Sequence, residues 1–203
     1  MNPLKQFHSR FSLLLLTGFL LPVGGFVSAQ SSEWGGTCKV AFAGKSTLHD
    51  FDGTVSAEPF TVTITNFENP ASADASAEVL VKASKMDTGN KKRDVEMRKS
   101  LDLDTYPEIS VSVKNLTAEK TNPRTSGAAP EPTVIPFTLK LKGKTHQLTG
   151  KVSDWSYADD RITCTVSFPI SLSEAGIKPP SVLGLVKVKD GIAVTARLSL
   201  ARK

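Results

Sequence analysis

An all-β fold with a single interior is what this sequence predicts, and three observations carry it. Apolar residues recur with period two in eight separate runs. The side chains between them are mostly Thr, Ser, Lys and Arg, and the intervals between runs leave little room for long helices. The 203 residues are 39% hydrophobic, 7% aromatic and 22% charged, which excludes a disordered chain, a collagen-like repeat and a many-spanning membrane protein.

The first element is a leader. Met1 to Arg10 carries Lys5 and Arg10 and no acid, Phe11 to Leu21 is apolar but too short to span a bilayer, and Val27-Ser28-Ala29 has the small-residue spacing of a signal-peptidase site. Residues 1–29 therefore read as a signal peptide and residues 30–203 as one domain, placed beyond the cytoplasmic membrane in a periplasmic or secreted location. Cys38 follows too late for a lipoprotein anchor. Because the leader takes two bases and no acid with it, the formal charge of +5 falls to +3, and a nucleic-acid partner loses most of its support.

The strands follow in order. The runs are Cys38, Val40 and Phe42; Phe60, Val62 and Ile64; Ala77, Val79 and Val81; Ile109, Val111 and Val113. Then come Phe137, Leu139 and Leu141; Leu148, Gly150 and Val152; Ile162, Cys164, Val166 and Phe168; and Ile192, Val194, Ala196, Leu198 and Leu200. Each run has one dry and one wet face, as antiparallel sheets with one interior require. Eight such strands form either a two-layer sandwich or an up-and-down barrel, and closure removes the exposed edges. About eight strands is also the barrel size that holds one small ligand. Between the third and fourth strands, Asn90 to Leu103 has few β-branched residues and sets Met97 and Leu101 four apart, which predicts a short helix with Asn90 as its N-cap. Thr121 to Pro132 reads as a flexible loop, and Ser171 to Asp190, with Gly176, Pro179, Pro180 and Gly184, as a long irregular connection.

Chemistry-bearing residues are sparse. Ser46, His49 and Asp50 lie in one turn-like run without a Gly-x-Ser-x-Gly elbow, whereas triads draw on separated segments. A metal site from His49, Asp50, Asp52 and His146 needs two distant loops to meet, with no close His or Cys pair to anchor it. No catalytic residue and no metal site is assigned, and the chain reads as a non-enzyme. Cys38 and Cys164 are the only cysteines, both on the apolar parity of their strands. A disulfide between them and two buried thiols both stay open, since pairing needs Cα atoms within about 7 Å. Lys91, Lys92 and Arg93 oppose the dipole at the helix start. They either meet an anionic head group there or are solvated, with Arg93 paired to a carboxylate such as Asp94.

A string of motifs adds to this reading. Lys85-Met86-Asp87-Thr88-Gly89-Asn90 with Arg93-Asp94 is followed by Leu103-Asp104-Thr105-Tyr106-Pro107-Glu108-Ile109. Then come Leu139-Lys140-Leu141-Lys142-Gly143-Lys144-Thr145-His146, and Gly176-Ile177-Lys178-Pro179-Pro180 with Val188-Lys189-Asp190. In that order and spacing the string resembles the YceI-like family of exported, lipocalin-like isoprenoid-binding proteins, over nearly all of the chain after the leader. It departs from the family in lacking a Phe-rich segment before Tyr106-Pro107, and its Ser46 to Phe51 hairpin resembles a subgroup.

The resemblance implies an eight-stranded antiparallel lipocalin-like barrel capped by a helix. Its elongated cavity would hold a prenylated quinone or polyprenyl phosphate non-covalently, with no cofactor. The isoprenoid lipid is then the partner, with transient membrane contact and a dimer as further options. Val79, Val81, Ile109, Val111, Phe137, Leu139, Val166 and Phe168 are the expected pocket lining, being apolar, of shared parity and central in the chain. A barrel packed solid, serving as a stress-response or protein-interaction module, gives the same alternation and is the alternative.

Overall fold

The fold is described from a computed structural model for residues 31–203, except 68, 70, 71, 127, 128, 180 and 183–185. The expected leader, residues 1–29, lies outside the described residues. In chain order the strands are β1 (Ser31–Ser46), β2 (Phe51–Ser56), β3 (Phe60–Thr65), β4 (Asp74–Lys82), β5 (Glu108–Thr117) and β6 (Arg124–Ser126). They continue with β7 (Ala129–Glu131), β8 (Val134–Leu141), β9 (Lys144–Ala158), β10 (Arg161–Ser171), β11 (Ser181–Val182) and β12 (Val186–Arg202). One helix, α1 (Lys91–Leu101), stands between β4 and β5.

Eight of these strands close a barrel in the order β1, β3, β4, β5, β8, β9, β10, β12, with β12 returning to pair with β1. Every ladder is antiparallel, and all eight alternating runs read from the sequence fall on barrel strands. β1 is long enough to serve two neighbours on one edge. Its first half pairs with β3, from Ser31 opposite Thr65 to Gly36 opposite Phe60. Its second half pairs with β2, from Lys39 opposite Ser56 to Gly44 opposite Phe51.

Three segments differ from the sequence reading. β2 is a strand where only a hairpin turn was expected, and its inward residues are Phe51, Gly53 and Val55. The expected flexible loop at Thr121 to Pro132 contains the β6–β7 ladder, tied by Arg124 to Glu131 at 2.7 Å. The expected irregular connection Ser171 to Asp190 contains β11 and the start of β12, and Asp190 anchors it, its carboxylate accepting from the Ser171 hydroxyl at 2.6 Å and the Ser173 amide at 2.7 Å. Those hydrogen bonds, the Ser171 hydroxyl foremost, hold the Asp190 carboxyl below its ordinary pKa.

Packing concentrates at the two ends of the barrel. At one end Trp34 is fully buried among Val62, Ile162 and Leu200. Its ring lies 5.3 Å from Phe67 and 6.3 Å from Tyr157, whose rings are 6.2 Å from each other. Towards the α1 end, Leu101 packs with Ala83, Phe137, Leu139, Leu141, Ala175 and Ile177. Aromatic and aliphatic burial of this kind is the dominant favourable term in the fold.

Candidate functional site

The inward side chains leave open space, bordered by Val62, Ile162 and Leu200 of one cluster and by Leu101, Leu139 and Leu141 of the other. A cavity of about 1780 Å³ occupies the interior, larger than the roughly 300–1,000 Å³ of ordinary small-molecule pockets. Its wall is built almost wholly from apolar side chains.

Glycines help keep the bore open. Phe42 lies over Gly53, Phe51 over Gly44 and Phe60 over Gly36, each pair directly opposed across two strands. A Cβ added at Gly53 would meet the Phe42 ring at 2.3 Å, and one at Gly36 the Phe60 ring at 2.4 Å. The rings therefore lie along the wall where glycine leaves room.

All eight residues expected as lining border the cavity, in two populations. Val81, Phe137, Leu139 and Val166 are buried, with Phe137 ring-to-ring with Phe168 at 4.8 Å, edge-on. Val79, Ile109, Val111 and Phe168 are only half-buried although they point inward, because part of each faces open space. Closure of β12 on β1 adds lining that a central-chain criterion missed: Val40, Phe42 and Val55, and Val194, Ala196 and Leu198 across from them. Parity was the available signal for all of them but Val55, which lies on β2.

Cys38 and Cys164 also line the cavity, as two buried free thiols. The disulfide alternative fails on topology. Both residues stand opposite Leu198, one on each side of β12, so a whole strand separates them. Two inter-strand spacings of about 4.8 Å put their backbones beyond disulfide reach. Burial pushes each thiol up to about 11, and for Cys38 the neighbouring Cys164 adds to the shift.

The helix is fixed by the residues that carried the family resemblance. Asn90 Oδ1 accepts the Lys92 and Arg93 amides at 3.1 and 3.2 Å, the expected N-cap. Asp94 Oδ1 accepts the Thr88 hydroxyl at 2.7 Å and the Thr88 amide at 3.0 Å. The Thr88 hydroxyl is the chief reason that the Asp94 carboxyl titrates below its ordinary range, with the Arg98 and Arg93 charges lesser contributors. Thr54 and Asp87 exchange backbone hydrogen bonds of 2.8 and 3.0 Å, which attach this segment to β2. The run from Met86 to Asp94 is thus a cap that holds α1 at the mouth.

Lys91, Lys92 and Arg93 border the cavity there. Lys91 and Lys92 are exposed, while the Arg93 guanidinium lies 5.5 Å from the centre of the Phe51 ring, a cation–π contact in place of the expected pairing with Asp94. Ser46 and His49 lie in the β1–β2 turn, where the Ser46 hydroxyl donates to the His49 carbonyl at 2.6 Å and accepts the His49 amide at 3.1 Å. Those are turn contacts. Among the described residues no three His, Cys, Asp or Glu side chains come close enough to hold a metal ion, and no helix is long and apolar enough to cross a membrane.

A closed antiparallel barrel around an apolar cavity defines a class of hollow β-barrels. Within it the chain belongs to the YceI-like family, whose domain pattern matches residues 32–200. No curated protein sequence matches the chain. Among solved structures it is similar to BcnA from Burkholderia cenocepacia, at 19% identity and a TM-score of 0.58, over 80% of this chain and 95% of that one. It is also similar to a polyisoprenoid binding domain from Saccharophagus degradans implicated in plant cell wall breakdown, at 13% identity and a TM-score of 0.53, over 86% and 100% of the two chains. A third is the Campylobacter jejuni YCEI protein, at 17% identity and a TM-score of 0.53, over 77% and 87%. At these identities the likeness speaks for the fold.

Proposed function

We propose that this protein binds an isoprenoid lipid, a polyprenyl phosphate or a prenylquinone, in its barrel cavity and carries or stores it outside the inner membrane, without catalysing a reaction. The observation that carries the reading is the apolar cavity of about 1780 Å³. An extended hydrocarbon tail is the ligand class that such a wall stabilises most, since each 100 Å² of tail removed from water contributes about 2.5 kcal/mol. The Saccharophagus degradans relative, described as a polyisoprenoid binding domain, supports the same ligand class. The leader read at residues 1–29 supports the location. The open middle of the barrel speaks against the solid-barrel alternative, and no observation favours a protein-interaction module.

Within this reading the thiols, valines and phenylalanines of the wall take the tail, and the mouth takes the head. A phosphate head group would meet Lys91 and Lys92 beside the first turn of α1, whereas a neutral quinone has no need of them. The test is native mass spectrometry of protein purified from its own host, followed by lipid extraction. Recovery of a prenyl lipid in stoichiometric amount is expected. Repeated recovery without lipid, together with no uptake of added prenylquinone, would refute the proposal. Replacing Lys91 and Lys92 by Gln distinguishes the heads: a phosphate ligand loses affinity in a salt-dependent way, and a quinone ligand does not.

A further inference from the structure

The cavity mouth carries a surface that the ligand itself does not explain. Among the described residues three large hydrophobic side chains are conspicuously exposed, and two of them, Leu48 at 63% and Val95 at 47%, border the cavity at the same end. Leu48 sits on the β1–β2 turn and Val95 on α1. The Thr54–Asp87 backbone pair and the stacking of Arg93 on Phe51 hold those two segments together. On the helix, Lys91 and Lys92 lie four and three residues before Val95, so all three share one exposed face, away from the buried side of Asp94 and Leu101. Among the described residues neither lysine has an ion-pair partner. Lys45 and Lys187 flank the turn from the barrel side, where the Thr47 amide donates to the Lys187 carbonyl at 3.0 Å.

The acids on this end are placed differently. Asp94 is buried on Thr88, Asp87 accepts the Gly89 amide at 2.8 Å, Asp190 is taken up by its serines, and Glu96 pairs with Lys99 at 3.0 Å. Asp50 and Asp52 remain exposed on the β1–β2 side. The rim nearest the opening thus presents two apolar side chains among cations, joined by the positive end of α1.

From this arrangement we infer that the rim formed by Leu48, Val95, Lys91 and Lys92 seats the protein on an anionic lipid bilayer. Leu48 and Val95 enter the head-group region while the lysines meet lipid phosphates. The charge pattern favours this occupant over a protein, because apolar side chains ringed by basic ones match the interface of an anionic membrane. Its purpose follows from the carrier reading on which it rests: a mouth pressed to the bilayer passes an insoluble tail from membrane to cavity without exposing it to water.

The experiment is flotation of protein expressed from its complete gene in its own host, using phosphatidylcholine vesicles with and without phosphatidylglycerol and free of isoprenoid. Binding is expected only with phosphatidylglycerol and weaker as salt rises. Replacing Lys91 and Lys92 together by Gln should weaken it on the order of tenfold. Leu48→Glu with Val95→Glu should abolish it. The matched pair Lys114→Gln with Arg161→Gln, which removes the same charge near the opposite end, should leave it within about twofold. Indifference to phosphatidylglycerol, or equal loss from the matched pair, would overturn the inference. So would failure to float on protein-free vesicles alongside protease-sensitive binding to native membranes, which would point to a protein partner. Uptake of a prenylquinone diluted into vesicle-free buffer is measured in parallel. Uptake without vesicle binding sinks the docking surface alone, and vesicle binding without uptake sinks the carrier reading alone.

Discussion

Two tryptophan substitutions on one row of the barrel wall report directly on whether its middle is open in solution. Val79 on β4, Val111 on β5 and Leu139 on β8 stand side by side in register. Leu139 is 3% exposed inside the cluster with Phe137, Leu141 and Leu101, whereas Val79 is half-buried against the cavity and belongs to no packed cluster. Leu139→Trp must displace its neighbours, and overpacking of that kind typically costs about 1 to 3 kcal/mol. For a domain of this size the cost lowers Tm by about 2 to 12 °C. Val79→Trp has a cavity of about 1780 Å³ to enter, so its indole displaces nothing and Tm should stay within about 2 °C. Both variants are delipidated before thermal unfolding is followed by circular dichroism, because bound ligand would add its own stabilisation. Prenylquinone uptake is then measured on each, and Val79→Trp should lose most of it. If Val79→Trp melts as low as Leu139→Trp, the middle of the barrel is packed in solution and the reasoning fails.

Three further outcomes are expected. The Asp94 carboxyl is held below its ordinary pKa chiefly by the Thr88 hydroxyl, so its contribution to stability is complete above about pH 4 and is lost as pH falls toward its folded value. Thermal melts of Asp94→Asn should therefore converge with wild type as pH drops toward 2, and a constant gap from pH 7 to 2 would contradict that role. Cys38 and Cys164 are raised to about 11, so their contribution is whole below about pH 9 and declines above it. Cys38→Ala with Cys164→Ala should flatten the alkaline fall in Tm, and wild type should give two thiols to Ellman's reagent in denaturant and almost none when folded. A mass two hydrogens lighter than the dithiol would mean a disulfide instead. Gly36→Ala drives a Cβ into the Phe60 ring and should cost about 1 to 3 kcal/mol, recovered in part by Phe60→Leu in the same chain. Failure of the second change to rescue the first would show that the ring is not what glycine accommodates.

Period two revealed the eight barrel strands because their inward positions carry mostly Val, Leu, Ile, Phe or Cys, and parity located the wall on them. It missed β2, a six-residue strand whose inward residues are Phe51, Gly53 and Val55, although β9 shows the same pattern in Leu148, Gly150 and Val152; what no hydrophobicity count reveals is that Gly53 is required because Phe42 occupies the space of its side chain. Parity put Cys38 and Cys164 indoors but could not order the strands, and the strand between them decides their chemistry. The hollow middle was not legible either. Val79 and Leu139 are equivalent letters in an alternating run, and only the three-dimensional closure shows that one faces space and the other a packed cluster. The cations at Lys91 to Arg93 were visible as a run, but the ring of Phe51, forty-two residues before Arg93, is what fixes Arg93.

The seam of the barrel joins its first strand to its last. Trp34 stands opposite Arg202 and Gly44 opposite Ile192, residues 168 and 148 positions apart, and the Lys203 amide donates to the Glu33 carbonyl at 2.9 Å. Contacts of such separation are the slowest that a chain makes. Until β12 is in place, β1 and β10 both remain open edges that the same absent strand must cover. The lumen therefore comes into being late and all at once, when β12 docks between them. Until then there is a curved sheet with a greasy concave side and no container, so the enclosed cavity exists only once β12 is in place.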